Sequence, residues 1–171
     1  MSTLYYLAYG SNLHPLRLQE RVSSARLLGP VSLPGYRLVF HKVGADGSGK
    51  CNIRNTRHAH DTVHAALFSI HATHKPLLDS FEGTGYVDIE MQVEFDGATY
   101  STFVYVAKAA FINEDLPPFD WYRDLVLHGA HHHGFPDHYI ADIRQTMARA
   151  DPDAERGRRH ADLLDAMRNR R

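Results

Sequence analysis

Cysteine is almost missing from this sequence: among 171 residues it occurs once, as Cys51. No intrachain disulfide can form, and a reducing compartment is the natural expectation. An excess of charge of one sign is also missing. Lys and Arg number 19 against 20 Asp and Glu, a formal net charge of -1 with a sequence pI near 6.9. Such a balance gives no electrostatic footprint for nucleic acid or an acidic membrane surface. No apolar run approaches the roughly 20 residues of a membrane-crossing helix. The opening MSTLYYLAYGSN has neither a basic segment nor a long apolar stretch, so no secretory leader is read there. Repeats and low-complexity linkers are absent as well. These absences point to a cytoplasmic protein without nucleic-acid or membrane partners.

What is present suits an ordinary globular chain: 43% hydrophobic and 23% charged residues, enough length for one compact domain with its own core. Residues 1–150 read as that domain and 151–171 as a polar C-terminal helix and tail. Arg156, Arg158, Arg159, Arg168, Arg170 and Arg171 fall in this tail and read as a solvated helix face.

Periodicity predicts a mixed α/β (α+β) chain. Leu4–Ala8 reads as a buried strand and Leu16–Val22 as a helix opened by Pro15, with the polar turn Gly10-Ser11-Asn12 between them. Extended pieces follow over Val31–Val43, bent at Pro34-Gly35, then around Cys51–Arg54 and Val63–Ile70. His74–Phe81 reads as a short helix stopped by Gly83. In Tyr86–Val106, Val87, Ile89, Met91, Val93 and Phe95 alternate with charged or polar residues, and Asp96-Gly97 supplies a primed two-residue turn. That turn fixes a register with Phe95 opposite Ala98, Met91 opposite Thr102 and Ile89 opposite Val104. One face is then apolar, and the other sets Glu90 beside Phe103 and Asp88 beside Tyr105. Helices are predicted over Phe119–Ala130 and Pro136–Arg149, then a polar one carrying Leu163, Leu164 and Met167. Hairpins rather than regular crossovers disfavour a doubly wound parallel sheet.

Two segments could carry chemistry. A strand ending at a Gly-containing turn before a helix leaves backbone N–H groups free to receive a carboxylate or a developing oxyanion. Gly10 allows close approach, and Ser11 and Asn12 can cap the helix or touch a ligand. An ordinary capped turn is the commoner meaning of such residues. Glu82 ends a short helix beside Phe81 and Gly83. The negative end of the helix dipole and desolvation by Phe81 would both favour its neutral form, raising its proton affinity toward neutral pH. A solvated glutamate before a terminating glycine is again the plainer meaning.

Other features read as incidental. His128, His131, His132, His133 and His138 lack an HExxH pattern or Cys partners, so they read as an exposed helix end rather than a metal site. Cys51, between Lys50 and Asn52 on a strand, has no motif for a nucleophile. Gly47-Ser48-Gly49-Lys50 lacks the spacing and the helix of a phosphate loop.

Taken together, three segments resemble the γ-glutamyl cyclotransferase family. They are Tyr6-Leu7-Ala8-Tyr9-Gly10-Ser11-Asn12-Leu13; Leu78-Asp79-x-x-Glu82-Gly83 with Tyr86; and Tyr122–Ala130 followed by Gly134-Phe135-Pro136 and Tyr139. The last is similar to the C-terminal helices of the glutathione-breakdown branch, and the resemblance runs in order from about Leu4 to Arg149. It implies a small, mostly antiparallel β-barrel flanked by helices and release of 5-oxoproline from γ-glutamyl compounds without a cofactor or metal. It also implies Glu82 as proton acceptor, with Tyr6, Leu7, Ala8, Tyr9, Gly10, Ser11, Asn12 and Tyr122 on the substrate, and Tyr86 and Tyr105 as pocket walls. The expected partner is a small γ-glutamyl substrate, simple dipeptides before glutathione, and a homodimer is compatible with this. The short Gly83–Tyr86 spacing and the Asp46–Cys51 loop depart from relatives and leave the leaving group open. An idle γ-glutamyl-binding module on the same scaffold is the alternative.

Overall fold

The structure is a computed structural model that describes residues 2–169. Its elements run β1 (Thr3–Ala8), α1 (Pro15–Arg21), β2 (Arg26–Pro34), β3 (Tyr36–Val43), β4 (Gly49–Asn55), β5 (Thr62–His71), α2 (Lys75–Glu82), β6 (Tyr86–Phe95), β7 (Ala98–Ala107), α3 (Asp120–His132), α4 (Asp137–Gln145) and α5 (Ala154–Arg168). One sheet has the order β2-β5-β1-β7-β6, and β3 pairs with β4 in a separate hairpin. Only β1 and β7 run parallel in the main sheet; its other neighbours are antiparallel.

The β6–β7 register is the one the Asp96-Gly97 turn dictates: Phe95 faces Ala98, Met91 faces Thr102 and Ile89 faces Val104. Both turn residues have positive φ, 49° and 75°, as a primed turn requires. The apolar face is a different matter. Val87 and Ile89 remain 43% and 37% exposed, because β6 is the edge of the sheet and only its Val93 end is well covered. Both sides of β7 are covered: on the side facing Asp88 and Glu90, Phe103 stacks on Tyr6 at 5.2 Å between ring centres and Tyr105 meets both edge-on, and on the other Thr102 and Val104 are buried.

The expected barrel is not closed by hydrogen bonds. β2 and β6 end the ladder on either side, yet they approach through the Phe95 ring, which lies where a Cβ on Gly29 would stand, 2.6 Å from that position. Aromatic packing on a glycine fills the seam that a ladder would otherwise complete. Inside lie Leu7, Leu67, Phe68, Ile70 and Val104, all buried, with Leu13, Leu18, Leu78 and Leu125 joining the helices to the sheet.

α5 packs through Leu163, Leu164 and Met167. His160 stacks on Trp121 at 3.7 Å, and the Trp121 indole N–H donates to Asp151 at 2.8 Å. Arg156 departs from the solvated face expected of it, gripping Asp151 with two hydrogen bonds of 2.7 and 2.6 Å. Arg158, Arg159 and Arg168 are exposed, while Arg170 and Arg171 lie outside the described residues.

The histidine run is also more than an exposed helix end. His133 Nε2 meets the Leu13 carbonyl oxygen at 2.7 Å, and the His132 ring lies 4.5 Å from that of His14, which caps α1 through its Nδ1. Burial, helped by the neighbouring histidines, pushes His14 down to about 4, and burial lowers His132 and His133 as well. In the unfolded chain these imidazoles titrate near 6.5. Between those values the unfolded state holds more protons, so stability is lost as pH falls from 6.5 toward 4. Thermal melts from neutral pH down to about 4.5 should show a steep fall in Tm. A His14→Asn variant, which keeps a capping side chain, should flatten it.

Candidate active site

β1 lies at the centre of the main sheet, between β5 and β7, and delivers the chain at Ala8 into the turn before α1. The turn closes with the Leu13 amide on the Gly10 carbonyl at 3.1 Å. The amides of Gly10, Ser11 and Asn12 donate no hydrogen bond among the described residues, which leaves them available to an acceptor. α1 takes its cap from His14 rather than from Ser11 or Asn12, so both of those side chains are free for other contacts. Gly10, which lines a small cavity beside the turn, is also held to glycine by packing. A Cβ there would stand 2.9 Å from the Cys51 Cβ and 3.6 Å from the Tyr122 hydroxyl. A larger residue would first displace β4, so Gly10→Val reports on packing rather than on access for a substrate.

Glu82 is the last residue of α2, which ends at Gly83 with φ 75°. Its Oε1 accepts from Asn12 Nδ2 at 2.8 Å, and the same amide reaches the Tyr6 hydroxyl at 3.2 Å. Arg21 donates to the Asn12 side-chain Oδ1 at 3.1 Å and stands 4.0 Å from the Glu82 carboxylate. The acid and the turn, 70 residues apart in sequence, therefore meet directly through Asn12. A small cavity of about 20 Å³ joins Glu82 to the Tyr9–Asn12 turn, walled by Tyr6, Tyr86, Tyr105, Tyr122 and Cys51. A second cavity of about 490 Å³ shares Ser11, Glu82, Tyr86 and Tyr122 with it and is ringed by Arg17, Arg21, Lys42, Lys50, Arg156 and His160.

The tyrosines are held by the main chain. Tyr9 donates to the Tyr105 carbonyl at 2.5 Å and Tyr86 to the Cys51 carbonyl at 2.6 Å; the Tyr122 hydroxyl accepts from the Cys51 amide at 3.1 Å. Tyr105 donates to Asp79. Burial raises the Glu82 carboxyl above the usual carboxylate range, against the pull of Arg21, the Asn12 hydrogen bond, Lys42 and Arg17. Phe81, expected to desolvate it, does not: its ring is 49% exposed and lies under the Arg21 guanidinium at 5.0 Å. Burial pushes the Cys51 thiol up to about 12, so it is a protonated wall and not a nucleophile.

Of the turn segment, Tyr6, Tyr9, Gly10, Ser11 and Asn12 line the cavity together with Glu82 and Tyr122. Leu7 and Ala8 do not; both are fully buried in the core of the sheet, where strand alternation turns Leu7 away from the face that carries Tyr6. Sequence reasoning missed Arg17, Arg21 and Lys42. Arg17 and Arg21 lie four apart on the helix that follows the turn, a spacing that places both on one face. Lys42 carries no such signal. Among the described residues no group of three His, Cys, Asp or Glu side chains could hold a metal ion, and no helix is long and apolar enough to cross a membrane.

This mixed sheet, with its helices gathered around a β1–α1 turn, is the γ-glutamyl cyclotransferase-like fold. Residues 62–143 match the AIG2-like family, so the resemblance read from the sequence is supported by sequence and fold alike. A solved γ-glutamyl cyclotransferase superposes with a TM-score of 0.81 at 22% identity, over 96% of this chain and 99% of that one. An uncharacterized protein from Homo sapiens gives 0.77 at 22% identity, with the same coverage of 96% and 99%. YkqA from Bacillus subtilis gives 0.67 at 17% identity, covering 88% of this chain and 57% of its own length. No match to the chain is found among the curated proteins.

Proposed function

We propose that this chain is a γ-glutamyl cyclotransferase, with Glu82 as its single acid/base. The observation that carries the reading is the Glu82–Asn12 hydrogen bond of 2.8 Å, which sets a part-buried carboxylate beside a turn whose amides are unpaired among the described residues. The substrate brings its own nucleophile. Ionised Glu82 takes a proton from the α-ammonium group, and the freed amine attacks the γ-carbonyl carbon of the same residue. The carbonyl oxygen becomes an oxyanion, which the Gly10, Ser11 and Asn12 amides are placed to receive. Glu82 returns the proton to the leaving nitrogen, the C–N bond breaks, the ring nitrogen gives its second proton by way of Glu82 to the departing amine, and 5-oxoproline and an ammonium-form amine depart. Ring closure within one molecule needs little further help with proximity.

Incubation with a panel of γ-glutamyl compounds tests the reading. The expected result is stoichiometric 5-oxoproline and amine; intact compounds after long incubation would refute it. A pH profile adds a sharper check. Because Glu82 must be ionised to begin the reaction, kcat/KM should fall on the acid side with a midpoint above the ordinary carboxylate range. Arg21 gives the strongest opposing pull, so Arg21→Leu should move that midpoint to higher pH. Movement to lower pH would place the titration on another group.

A further inference from the structure

The larger cavity holds more positive charge than the chain itself neutralises. Lys50 is paired with Asp46 at 2.6 Å, and Arg156 with Asp151 at 2.6 Å. Arg21 is occupied by Asn12 at 3.1 Å. Arg17 and Lys42 differ from these. Arg17 lines the cavity, is only 8% exposed, and its Nε has no hydrogen-bond partner among the described residues. Lys42 is 6% exposed, and its ammonium rests 4.5 Å from the centre of the Tyr86 ring with no carboxylate in ion-pair contact among the described residues. Both feel the field of Glu82 but neither has a carboxylate in ion-pair contact among the described residues, and a buried cation without a contacting partner is costly where an apolar side chain of the same length would pack at less expense. A long cationic side chain that merely covers the core keeps its head in water; the buried Arg17 Nε does not. Two such groups lining the same cavity as Glu82 and Ser11 describe a receptor for an anion.

The direction of the reaction says which anion. If the γ-glutamyl unit lies against the turn and its scissile nitrogen at Glu82, the leaving group extends into the larger cavity. At about 490 Å³ the cavity is roomy enough for an amino acid or a short peptide. Resting on the cyclotransferase reading, we infer that Arg17 and Lys42 form the leaving-group subsite and select γ-glutamyl compounds whose leaving group bears a carboxylate, over γ-glutamylamines. Arg17 offers paired N–H donors that match a carboxylate, and Lys42 a point charge beside it.

The test compares γ-glutamyl-alanine with γ-glutamyl-alaninamide and γ-glutamyl-ethylamine, which differ from it only around the carboxylate. γ-Glutamyl-alanyl-glycine separates a peptide carboxylate from that of a single amino acid. In the unmodified protein, kcat/KM for a carboxylate-bearing compound should exceed that of its neutral counterpart about 10- to 100-fold, the worth of one charge-assisted hydrogen bond. Arg17→Gln and Lys42→Met should each narrow that ratio. The ratio is indifferent to a partial loss of folded protein, since the same folded fraction handles both compounds. Preference for either carboxylate compound supports the subsite, and the one preferred names the source. Equal kcat/KM across the pairs would overturn the subsite while leaving cyclisation intact. If no compound releases 5-oxoproline, the cyclotransferase reading fails separately, and calorimetric Kd values for the same pairs then decide the subsite: a carboxylate preference keeps it, equal affinities remove it.

Discussion

Replacing Glu82 by Gln should lower kcat for 5-oxoproline release by about 100- to 10,000-fold, the span of one general acid/base, while the Kd for an unreacted γ-glutamyl compound stays within a few-fold. The substitution is nearly isosteric. The amide oxygen that Glu82→Gln introduces could still accept the Asn12 hydrogen bond that now measures 2.8 Å, so the cavity should keep its shape, and what is lost is the ability to take and return a proton. The reaction offers no ready substitute. The nearby tyrosine hydroxyls and the Cys51 thiol are raised by burial, so none is a base near neutral pH. Calorimetry and a rate assay on the same preparation separate the outcomes. Turnover near that of the unmodified protein would remove Glu82 from the chemistry. Loss of both binding and the thermal transition would make it a structural residue.

The second large effect is expected at Gly129, in the middle of α3. A Cβ there would meet the Leu13 Cβ at 2.4 Å and the His14 amide nitrogen at 3.1 Å. α3 thus presses directly on the turn that feeds the site, and Leu13, fully buried, has no room to yield. Gly129→Val should cost about 1–3 kcal/mol through overpacking, a fall in Tm of roughly 2–12 °C for a chain of this size. Any shift of Leu13 is passed to Ser11 and Asn12, so kcat/KM should fall further than the loss of folded protein explains; displacement of about 1 Å can cost a hundredfold. Gly157, on α5, is the control, because no atom lies within 4 Å of its would-be Cβ. Gly157→Ala should raise Tm through helix propensity, worth up to about 1 kcal/mol, and leave the rate alone. Equal behaviour of the two variants would show that the contact between α3 and the turn carries no strain.

The contrast between the two ends of β6 shows what was legible in the sequence. The pairing register followed from two turn residues, because a primed turn leaves no freedom in which residues face each other. Which face would be covered did not follow. Alternation marks Val87 and Ile89 as apolar, but it is silent on whether another element lies over them, and among the described residues both stay exposed at the sheet edge. The seam of the barrel was hidden for a similar reason, since Phe95 over Gly29 joins residues 66 apart with no motif at either. At the site, Glu82, Ser11, Asn12 and Tyr122 were readable as members of recognised segments. Leu7 and Ala8 were included with their neighbours although strand alternation turns Leu7 away and core burial keeps Ala8 from the cavity. Arg17 was marked only by its four-residue spacing from Arg21, and Lys42 by nothing. A lone basic residue on a helix or strand ordinarily faces water, and only the folded chain shows these two turned inward, the Arg17 Nε without a partner.

The ring of phenols around Glu82 has a consequence for how the chamber responds to its surroundings. Between mildly acidic and mildly alkaline solution those walls keep one charge state, so a single hydrogen ion is the whole vocabulary in which the small chamber and bulk water converse. A change in acidity would be felt there as the filling or emptying of one position.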